Sequence, residues 1–473
     1  MKTSRSKAVS AKANPLFLGF MLLSFFFGAG NLIFPPMLGM NSGTQFTPAV
    51  IGFIATAIAL PLLSLIVVAK STDGLLGIGR RVHPAFAYIF AILVYLSIGV
   101  MYGIPRAANV GYEMGFQQFV NLPDSMSLVL YVIVFFSTCY LSSVRSGRLI
   151  DFIGKFLTPI LLIFIALLCG LAFIHLTPGT QAPTEQFANN PLSAGIIEGY
   201  FTLDALAGLA FGSVLSATII QIMQPSVSAV SDEGQIADSK LLYEDTSHED
   251  EAVSQAVMNQ ELVKVMIQSS LVAGFFLGLV YLGLAWVGLS MYQEQGYDNG
   301  AVLLSSAARL LMGDLGNFVL GMIVLLACLT TCIGLINACS SFAESLFPTI
   351  SYKVYVMIFT VTGAVISNLG LAPVLAIAVP IMMFLYPISI ALVLLSLLHS
   401  VLAHRPLTYV FGVGTTTLFA LNATLSDLMS VTFPWQSLIN ALPLTDVGLG
   451  WVVPTIVMAL VGFFAKRVDT PIA

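Results

Sequence analysis

Long apolar stretches dominate the sequence and restrict what the chain can fold into. Twelve stretches are long enough to cross the hydrocarbon core of a bilayer, which takes about 20 apolar residues in a helix. They lie near residues 16–40, 46–69, 84–104, 126–143, 149–174, 197–222, 262–290, 315–342, 353–369, 372–398, 406–425 and 447–465. Inside a bilayer the backbone must satisfy its own hydrogen bonds, so we expect each stretch to be helical.

The composition supports a membrane protein and excludes several soluble classes. Of the 473 residues, 58% are hydrophobic and only 9% are charged. A soluble domain carries roughly 25% charged residues, so a soluble enzyme and a secreted disulfide scaffold are both excluded. The net charge of −5 also argues against a nucleic-acid partner. We predict an all-α, polytopic membrane protein with about 12 transmembrane helices in contact with lipid.

The basic residues predict the orientation of the chain. Sixteen of the 18 Lys and Arg residues fall on one side of the predicted helices, whereas Arg106 and Arg309 fall on the other. Because basic residues accumulate on the cytoplasmic side, we expect both terminal tails, 1–15 and 466–473, to be cytoplasmic. The acidic connection 223–261 is then a solvated cytoplasmic loop, with a regulatory or partner-binding role as the alternative.

The first apolar stretch is interrupted at Gly28-Ala29-Gly30-Asn31 and again at Pro35-Pro36. Glycine weakens a helix, and proline removes a backbone donor and clashes with the preceding turn. Unwound backbone at membrane depth is tolerated where it lines a cavity or is buried in protein. We therefore predict a broken helix that faces a binding site, with a kink used only for packing as the alternative.

The sixth stretch carries an acid at mid-depth, within the segment from Gly199 to Gly212. A carboxylate inside the membrane is costly and marks a functional site by default. Asp204 is the only strongly charged side chain that we place near the membrane centre. The alternative is a structural acid that caps the end of a half-helix.

The two interrupted stretches stand five helices apart, which predicts an inverted repeat. The repeats would span 16–174 and 197–398, followed by two additional helices within 406–465. The N-termini of half-helices suit a carboxylate, and freed carbonyls suit a dehydrated Na⁺. Thr330 and Thr331 in the eighth stretch add oxygen ligands, although a Thr in a membrane helix more often bonds its own backbone.

Several of these motifs resemble one family. The segment Phe26 to Pro36 is similar to the first-helix signature of the branched-chain amino acid:cation symporter family, the BrnQ-type carriers. Residues 199–212, 327–339 and 105–108 resemble its sixth, eighth and third helices, whereas the acidic stretch 223–261 departs from it. The resemblance implies a bacterial cytoplasmic membrane carrier with the fold of the neurotransmitter:sodium symporters, a five-plus-five inverted repeat with broken helices 1 and 6.

The resemblance also implies roles for particular residues. The amides of Ala29 and Gly30 would hold a substrate carboxylate, and Asn31 and Thr202 would serve a first sodium site. Asp204 would bind the substrate ammonium or titrate. The second sodium site would combine the carbonyls of Ser24, Phe27 and Ala327 with the hydroxyls of Thr330 and Thr331. The residues expected to contact substrate are Ala29, Gly30, Asn31, Phe201, Thr202, Asp204, Tyr102 and Phe25, with Phe211 as a further aromatic candidate.

These expectations favour a symporter that couples Na⁺ to the import of leucine, isoleucine and valine by alternating access. The alternative is a proton-coupled symporter or an exchanger of the same fold, with Asp204 as the proton carrier. A channel is less favoured because no repeated filter is apparent. No catalytic motif indicates an intramembrane enzyme, and a sensor with the same fold remains a further alternative. We expect no organic cofactor.

Overall fold

The computed structural model describes residues 14–71, 73–121, 123–144, 148–223, 248–292 and 296–465. It gives the backbone alone at residues 24, 25, 148–158, 213, 214, 217, 218, 221–223 and 248–259. This part of the chain is almost wholly helical and contains no strand. Its helices are α1 (Pro15–Phe26), α2 (Ala29–Ser42), α3 (Phe46–Ile54), α4 (Leu60–Ala69), α5 (Gly74–Arg80), α6 (Pro84–Leu96), α7 (Gly103–Gly115), α8 (Asp124–Val144), α9 (Arg148–His175), α10 (Glu185–Asn189), α11 (Pro191–Tyr200), α12 (Asp204–Met223), α13 (His248–Ser290), α14 (Gly300–Leu346), α15 (Tyr352–Ser367), α16 (Leu371–Leu397), α17 (His399–Leu402), α18 (Pro406–Met429), α19 (Gln436–Asn440) and α20 (Val452–Phe464).

Local sequence signals set several helix starts. The Asn14 side chain accepts a hydrogen bond of 3.0 Å from the Leu16 amide, and Pro15 occupies the first helical position of α1. Asn299 caps α14 in the same way, accepting from the amides of Ala301 and Val302. Asn is a preferred N-cap residue because its side chain satisfies amides that have no partner within the helix.

Helices occupy all twelve apolar stretches of the sequence. By length and hydropathy, six helical segments of the described residues can cross a membrane, and the bent pair Pro191–Tyr200 and Asp204–Gly212 makes a seventh. Shorter apolar helices lie at Pro159–His175, Tyr352–Ser367 and Val452–Phe464, inside predicted stretches. The predicted all-α membrane fold is therefore confirmed, whereas the count of twelve crossings and the division into two repeats stay predictions.

Three predicted boundaries differ from the structure. A π-helical segment, Ser97–Met101, leads from α6 into α7, so the third helical region continues to Gly115 instead of ending near 104. Helix α14 starts 15 residues before the predicted 315 and bends at Gly313, where φ is +71°. Helix α13 starts at His248, inside the predicted loop 223–261, of which residues 224–247 lie outside the described part. Packing against neighbouring helices extends these elements beyond their apolar cores.

Glycines allow the closest helix contacts. Helices α3 and α11 meet at Gly52 and Gly195, and each glycine faces the backbone of the other helix. A Cβ on Gly52 would lie 2.0 Å from the Leu192 carbonyl oxygen, and one on Gly195 would lie 1.9 Å from that of Ala49. Small residues at such contacts let membrane helices pack backbone to backbone. The contact fixes α11, which carries the second helix break, against α3.

Candidate functional site

The first helix break separates α1 from α2 at Phe27 and Gly28. The Phe27 amide closes α1 on the Leu23 carbonyl, and the Gly28 amide turns instead to the Asn31 side chain, 3.0 Å away. Asn31 thus completes the first turn of α2 as a capping residue. The break is shorter than predicted, because Gly30, Asn31 and the Pro35-Pro36 pair all lie inside α2.

The second break separates α11 from α12 over residues 201–203, where the two helices are bent by 42°. Leu203 has a φ of +72°, a left-handed conformation that costs a non-glycine residue about 1–2 kcal/mol. The Thr202 hydroxyl donates to the Gly199 carbonyl at 3.0 Å, so it satisfies an acceptor at the end of α11. Asp204 then begins α12, where the positive end of the helix dipole favours a carboxylate.

Asp204 joins the two breaks through a buried hydrogen-bond network. Asn31 Nδ2 donates to Asp204 Oδ2 at 2.7 Å, and the Tyr281 hydroxyl donates to the same oxygen at 2.8 Å. Asn31 Nδ2 also donates to the Tyr281 hydroxyl oxygen. Asp204 is 3% exposed, while Asn31 and Tyr281 are each 1% exposed. The network stabilises a carboxylate in a core that excludes water.

A guanidinium lies at the same place and binds the backbone of the second break. Arg106 on α7 is 6% exposed; its Nη1 donates to the Phe201 carbonyl, and its Nη2 donates to the Thr202 carbonyl at 3.2 Å. Nη1 also donates to the Tyr102 hydroxyl at 3.1 Å. Against the first break, a Cβ added to Gly30 would lie only 2.6 Å from Nη1. Arg106 therefore fills the space between the two broken helices.

Aromatic rings line the guanidinium. Its central carbon lies 4.6 Å from the Tyr102 ring centre and 5.8 Å from that of Phe34. The Phe34 ring stacks on Phe201 with centroids 5.8 Å apart. The Tyr102 hydroxyl also donates to the Phe201 carbonyl at 3.3 Å. Cation–π attraction adds to the hydrogen bonds that fix Arg106.

The two threonines of α14 lie beside the first break. The hydroxyls of Thr330 and Thr331 both donate to the Ala327 carbonyl, at 2.8 and 3.0 Å. Thr331 approaches the break closely, since a Cβ added to Gly28 would lie 3.6 Å from its Oγ1. The backbone bonding of both hydroxyls follows the usual behaviour of Thr in membrane helices. Three oxygen atoms are nevertheless gathered near an unwound backbone.

A polar cavity of about 820 Å³ lies beyond Arg106 along α7. Glu113 on α7 accepts a hydrogen bond of 2.9 Å from the Asn299 side chain at its wall. Partial burial raises the pKa of the Tyr297 phenol, which also lines the cavity, above its ordinary value. The remaining wall includes Gln117, Gln118, Asp298, Ser305 and Arg309. The cavity offers charged and polar groups at one end of the helix that carries Arg106.

Comparison with known proteins assigns the family. The family described as "Branched-chain amino acid transport protein" matches residues 11–238 and 250–469. The chain belongs to this family. The branched-chain amino acid permease BrnQ of Bacillus subtilis is 35% identical over 466 residues, covering 97% of this chain and 98% of the relative. BrnQ of Corynebacterium glutamicum is 36% identical over 455 residues, covering 96% and 95%.

The fold of this transporter has counterparts among solved structures. A nucleobase-cation-symport-1 family transporter, Mhp1, in a closed conformation with bromovinylhydantoin bound, superimposes with a TM-score of 0.56 at 12% identity. The match covers 96% of this chain and 92% of Mhp1. At this identity the likeness concerns the fold alone, which is LeuT-like. The predicted family is confirmed, and the chain is a transporter, not an enzyme.

The structure brings most of the predicted residues of this transporter into two groups. Around Asp204 and Arg106 lie Gly30, Asn31, Tyr102, Phe201 and Thr202. Beside Gly28 lies the α14 group of Ala327, Thr330 and Thr331. The remaining predicted residues take other places: Ala29 and Phe27 are buried at the first break, Phe211 is buried two turns along α12, and the side chains of Ser24 and Phe25 lie outside the described residues.

Two buried residues of the site were not predicted from the sequence. The first is Arg106, which was expected on an outer connection but is buried at the second break. The expectation that Asp204 is the only charged side chain near the centre is therefore also wrong. Arg106 lies inside α7 because this helix continues past the apolar stretch. Its position one residue after Pro105, in a segment of small residues, was the available signal. Tyr281, within an otherwise apolar run of α13, carried no distinguishing signal.

Proposed function

We propose that the chain imports branched-chain amino acids together with Na⁺ by alternating access. The observation that carries the proposal is the pair of opposite charges, Asp204 and Arg106, buried between two broken helices. A zwitterionic amino acid presents an ammonium and a carboxylate that match these two groups. The free amides of Ala29 and Gly30, at the positive end of α2, supply further donors to the carboxylate.

The hydrocarbon end of the substrate would pack against aromatic rings. Phe34 and Phe201 stack beside the charged pair and present apolar surface without a polar atom. A methylene group is worth only about 1–3 kcal/mol in an apolar pocket. We therefore expect leucine, isoleucine and valine to compete for one site, with affinities that differ by no more than roughly two orders of magnitude.

The coupling ion is proposed from the oxygen ligands near the first break. Ala327, Thr330 and Thr331 present carbonyl and hydroxyl oxygens, which suit a hard cation. No group of three or more His, Cys, Asp or Glu side chains within the described ranges is arranged to hold a metal ion. A monovalent ion bound by neutral oxygens therefore fits this region better than a divalent one.

The family relatives support the substrate class. The B. subtilis and C. glutamicum relatives are both named branched-chain amino acid permeases, and each match covers at least 95% of both chains. The proposed location is a bacterial cytoplasmic membrane with both termini inside, by the distribution of basic residues. The polar cavity near Glu113 would then be the access path from outside.

The test is uptake of labelled leucine into proteoliposomes with an inward Na⁺ gradient, a K⁺ gradient or no gradient. We expect uptake above equilibrium only with Na⁺, and competition by isoleucine and valine but not by lysine or glutamate. Concentrative uptake that does not depend on the Na⁺ gradient would contradict coupling to Na⁺. Failure of isoleucine and valine to compete would contradict the substrate class.

A proton-coupled carrier or an exchanger is the second candidate. The observation in its favour is Asp204, a titratable side chain that is buried between the two broken helices. A pH jump across the same proteoliposomes without Na⁺ separates the candidates, because only proton coupling would then concentrate leucine. Preloading with unlabelled leucine, in the absence of any gradient, detects exchange.

A further inference from the structure

The ligands expected for a first sodium ion already have partners within the protein. The Asn31 side-chain oxygen accepts from the Gly28 amide at 3.0 Å, and the Thr202 carbonyl accepts from Arg106 Nη2 at 3.2 Å. The Thr202 hydroxyl donates to the Gly199 carbonyl at 3.0 Å, and its oxygen accepts from the Asp204 amide at 3.5 Å. Sodium needs several oxygen atoms that point at one position. These residues, as arranged, do not provide that position, so they do not fit a sodium ion.

A permanent positive charge lies beside these residues. Arg106 binds the carbonyls of Phe201 and Thr202 and lies directly against Gly30. A guanidinium stays protonated at every physiological pH, and its fork of donors matches paired oxygen acceptors. Its Nε is buried and has no hydrogen-bond partner in the described structure. A buried N–H without a partner is uncommon, and a bound ligand would satisfy it.

We propose that Arg106 is a resident cation of the substrate site, standing where a first sodium ion would otherwise bind. Its unpaired Nε–H, together with the Nη2 group on the same edge of the guanidinium, donates to the substrate carboxylate, while Asp204 receives the ammonium. Na⁺ then couples at a single site, beside Thr331. The inference rests on the proposed function, since it concerns the number of ions that accompany each amino acid.

The first test is the ratio of Na⁺ to leucine in transport. Parallel uptake of labelled Na⁺ and labelled leucine into proteoliposomes is expected to give about one ion per leucine, with a Hill coefficient near one for Na⁺. Two ions per leucine would overturn the resident-cation inference and leave Na⁺ symport intact. Leucine transport without Na⁺ uptake would overturn the proposed coupling, and the inference would then be decided by the second test.

The second test is chemical rescue of leucine binding to purified protein, which does not depend on the coupling ion. In Arg106→Ala, leucine affinity is expected to fall roughly a hundredfold, as for the loss of two charge-assisted hydrogen bonds. Guanidinium ion should restore binding, and its neutral isostere urea should not. A merely structural role for Arg106 would give no selective rescue by guanidinium.

Two further variants keep the rescue experiment decisive. Arg80→Ala removes a surface guanidinium that pairs with Asp73, so leucine affinity should stay at the wild-type value. If Arg106→Ala does not purify as a folded protein, Arg106→Lys replaces it, with charge retained but the fork lost. That variant should bind leucine more weakly than the wild type, because an ammonium lacks the planar fork of donors. Wild-type affinity in Arg106→Ala, or a folded variant without rescue, would overturn the inference.

Discussion

Asp204 is the residue whose surroundings decide the chemistry of the site. An ionised carboxylate in an apolar core is stable only when donors replace the lost water. Asn31 and Tyr281 supply those donors, one from the first broken helix and one from α13. The acid therefore couples the breaks to a neighbouring helix, and removing either donor should affect transport more than folding.

We expect Tyr281→Phe to lower the initial rate of leucine uptake by roughly tenfold or more, because hydrogen bonds to charged groups contribute about 1.5–3 kcal/mol. The ring remains and keeps its edge contact with Phe53, whose centroid lies 5.3 Å away. Initial uptake rates measure the effect, with Tyr292→Phe at an exposed position as the matched control. An unchanged rate in Tyr281→Phe would exclude the hydroxyl from the site.

Thr331→Ala is expected to raise the half-saturating Na⁺ concentration by roughly tenfold, which corresponds to about 1.4 kcal/mol. Thr330→Ala should have a smaller effect, because the Thr331 side chain is the one nearest to Gly28. Both variants lose a hydroxyl bond to the Ala327 carbonyl, so the pair separates ion binding from helix stability. The Na⁺ dependence of leucine uptake is the measurement. Equal shifts would contradict the larger role given to Thr331, and no shift in either variant would contradict the proposed site.

Gly30→Ala is expected to weaken leucine binding by roughly tenfold, since the new Cβ would displace a guanidinium held by charge-assisted hydrogen bonds. The methyl group would lie 2.6 Å from Arg106 Nη1, and the flexible side chain would yield before the backbone does. Gly334→Ala in α14 is the control, because no atom lies within 4 Å of its added Cβ. The measurement is the leucine binding isotherm of each purified variant. Equal affinities would contradict a position of Arg106 beside Gly30 in the leucine-bound protein.

At the residue scale the sequence predicted the partners of Asp204 better than their contacts. Asn31 and Thr202 were expected near one another, and both lie at the breaks. Their expected role as sodium ligands depended on free oxygen atoms, whereas the Asn31 side-chain oxygen accepts from the Gly28 amide and the Thr202 hydroxyl oxygen accepts from the Asp204 amide. A pattern of residue types does not reveal which lone pairs are already used.

At the scale of elements, the apolar stretches predicted the helices and the glycine-rich segments predicted the breaks. The length of α7 was missed because its second half carries Arg106, Asn109 and Glu113, which lower the local hydropathy. Tertiary burial keeps that half helical and encloses Arg106 and Asn109. Similarly, Pro35 and Pro36 lie in the interior of α2 and do not end it, although each removes a backbone donor. Membrane helices tolerate such a proline where neighbouring protein satisfies the freed backbone groups.

The contact between α3 and α11 gives a prediction at the same scale. Gly195→Ala should destabilise the protein, because its Cβ would meet the Ala49 carbonyl at 1.9 Å and overpacking typically costs about 1–3 kcal/mol. Thermal unfolding in detergent measures the loss. Gly170→Ala on α9 is the matched control, because its Cβ meets nothing within 4 Å. Equal stability of the two variants would contradict the close packing of α3 and α11.

For the whole molecule, the distribution of basic residues predicts which connections face outward. Ser125, in the first turn of α8, should lie outside, whereas Ser351, between α14 and α15, should lie inside; both are exposed. In intact cells a membrane-impermeant thiol reagent should therefore label Ser125→Cys and not Ser351→Cys. Four of the five cysteines, Cys139, Cys328, Cys332 and Cys339, are buried, and the unsubstituted protein serves as the blank for the partly exposed Cys169. The reverse labelling would invert the orientation.

Arg106 recognises the second break through main-chain carbonyls and not through side chains. The side chains at positions 201 and 202 can therefore change without removing its acceptors, as long as the backbone keeps its bend. Variants at these positions should alter which amino acids fit while leaving the fixed charge in place. Selectivity and charge compensation are thus separable traits in this carrier, and one can be re-engineered while the other is kept.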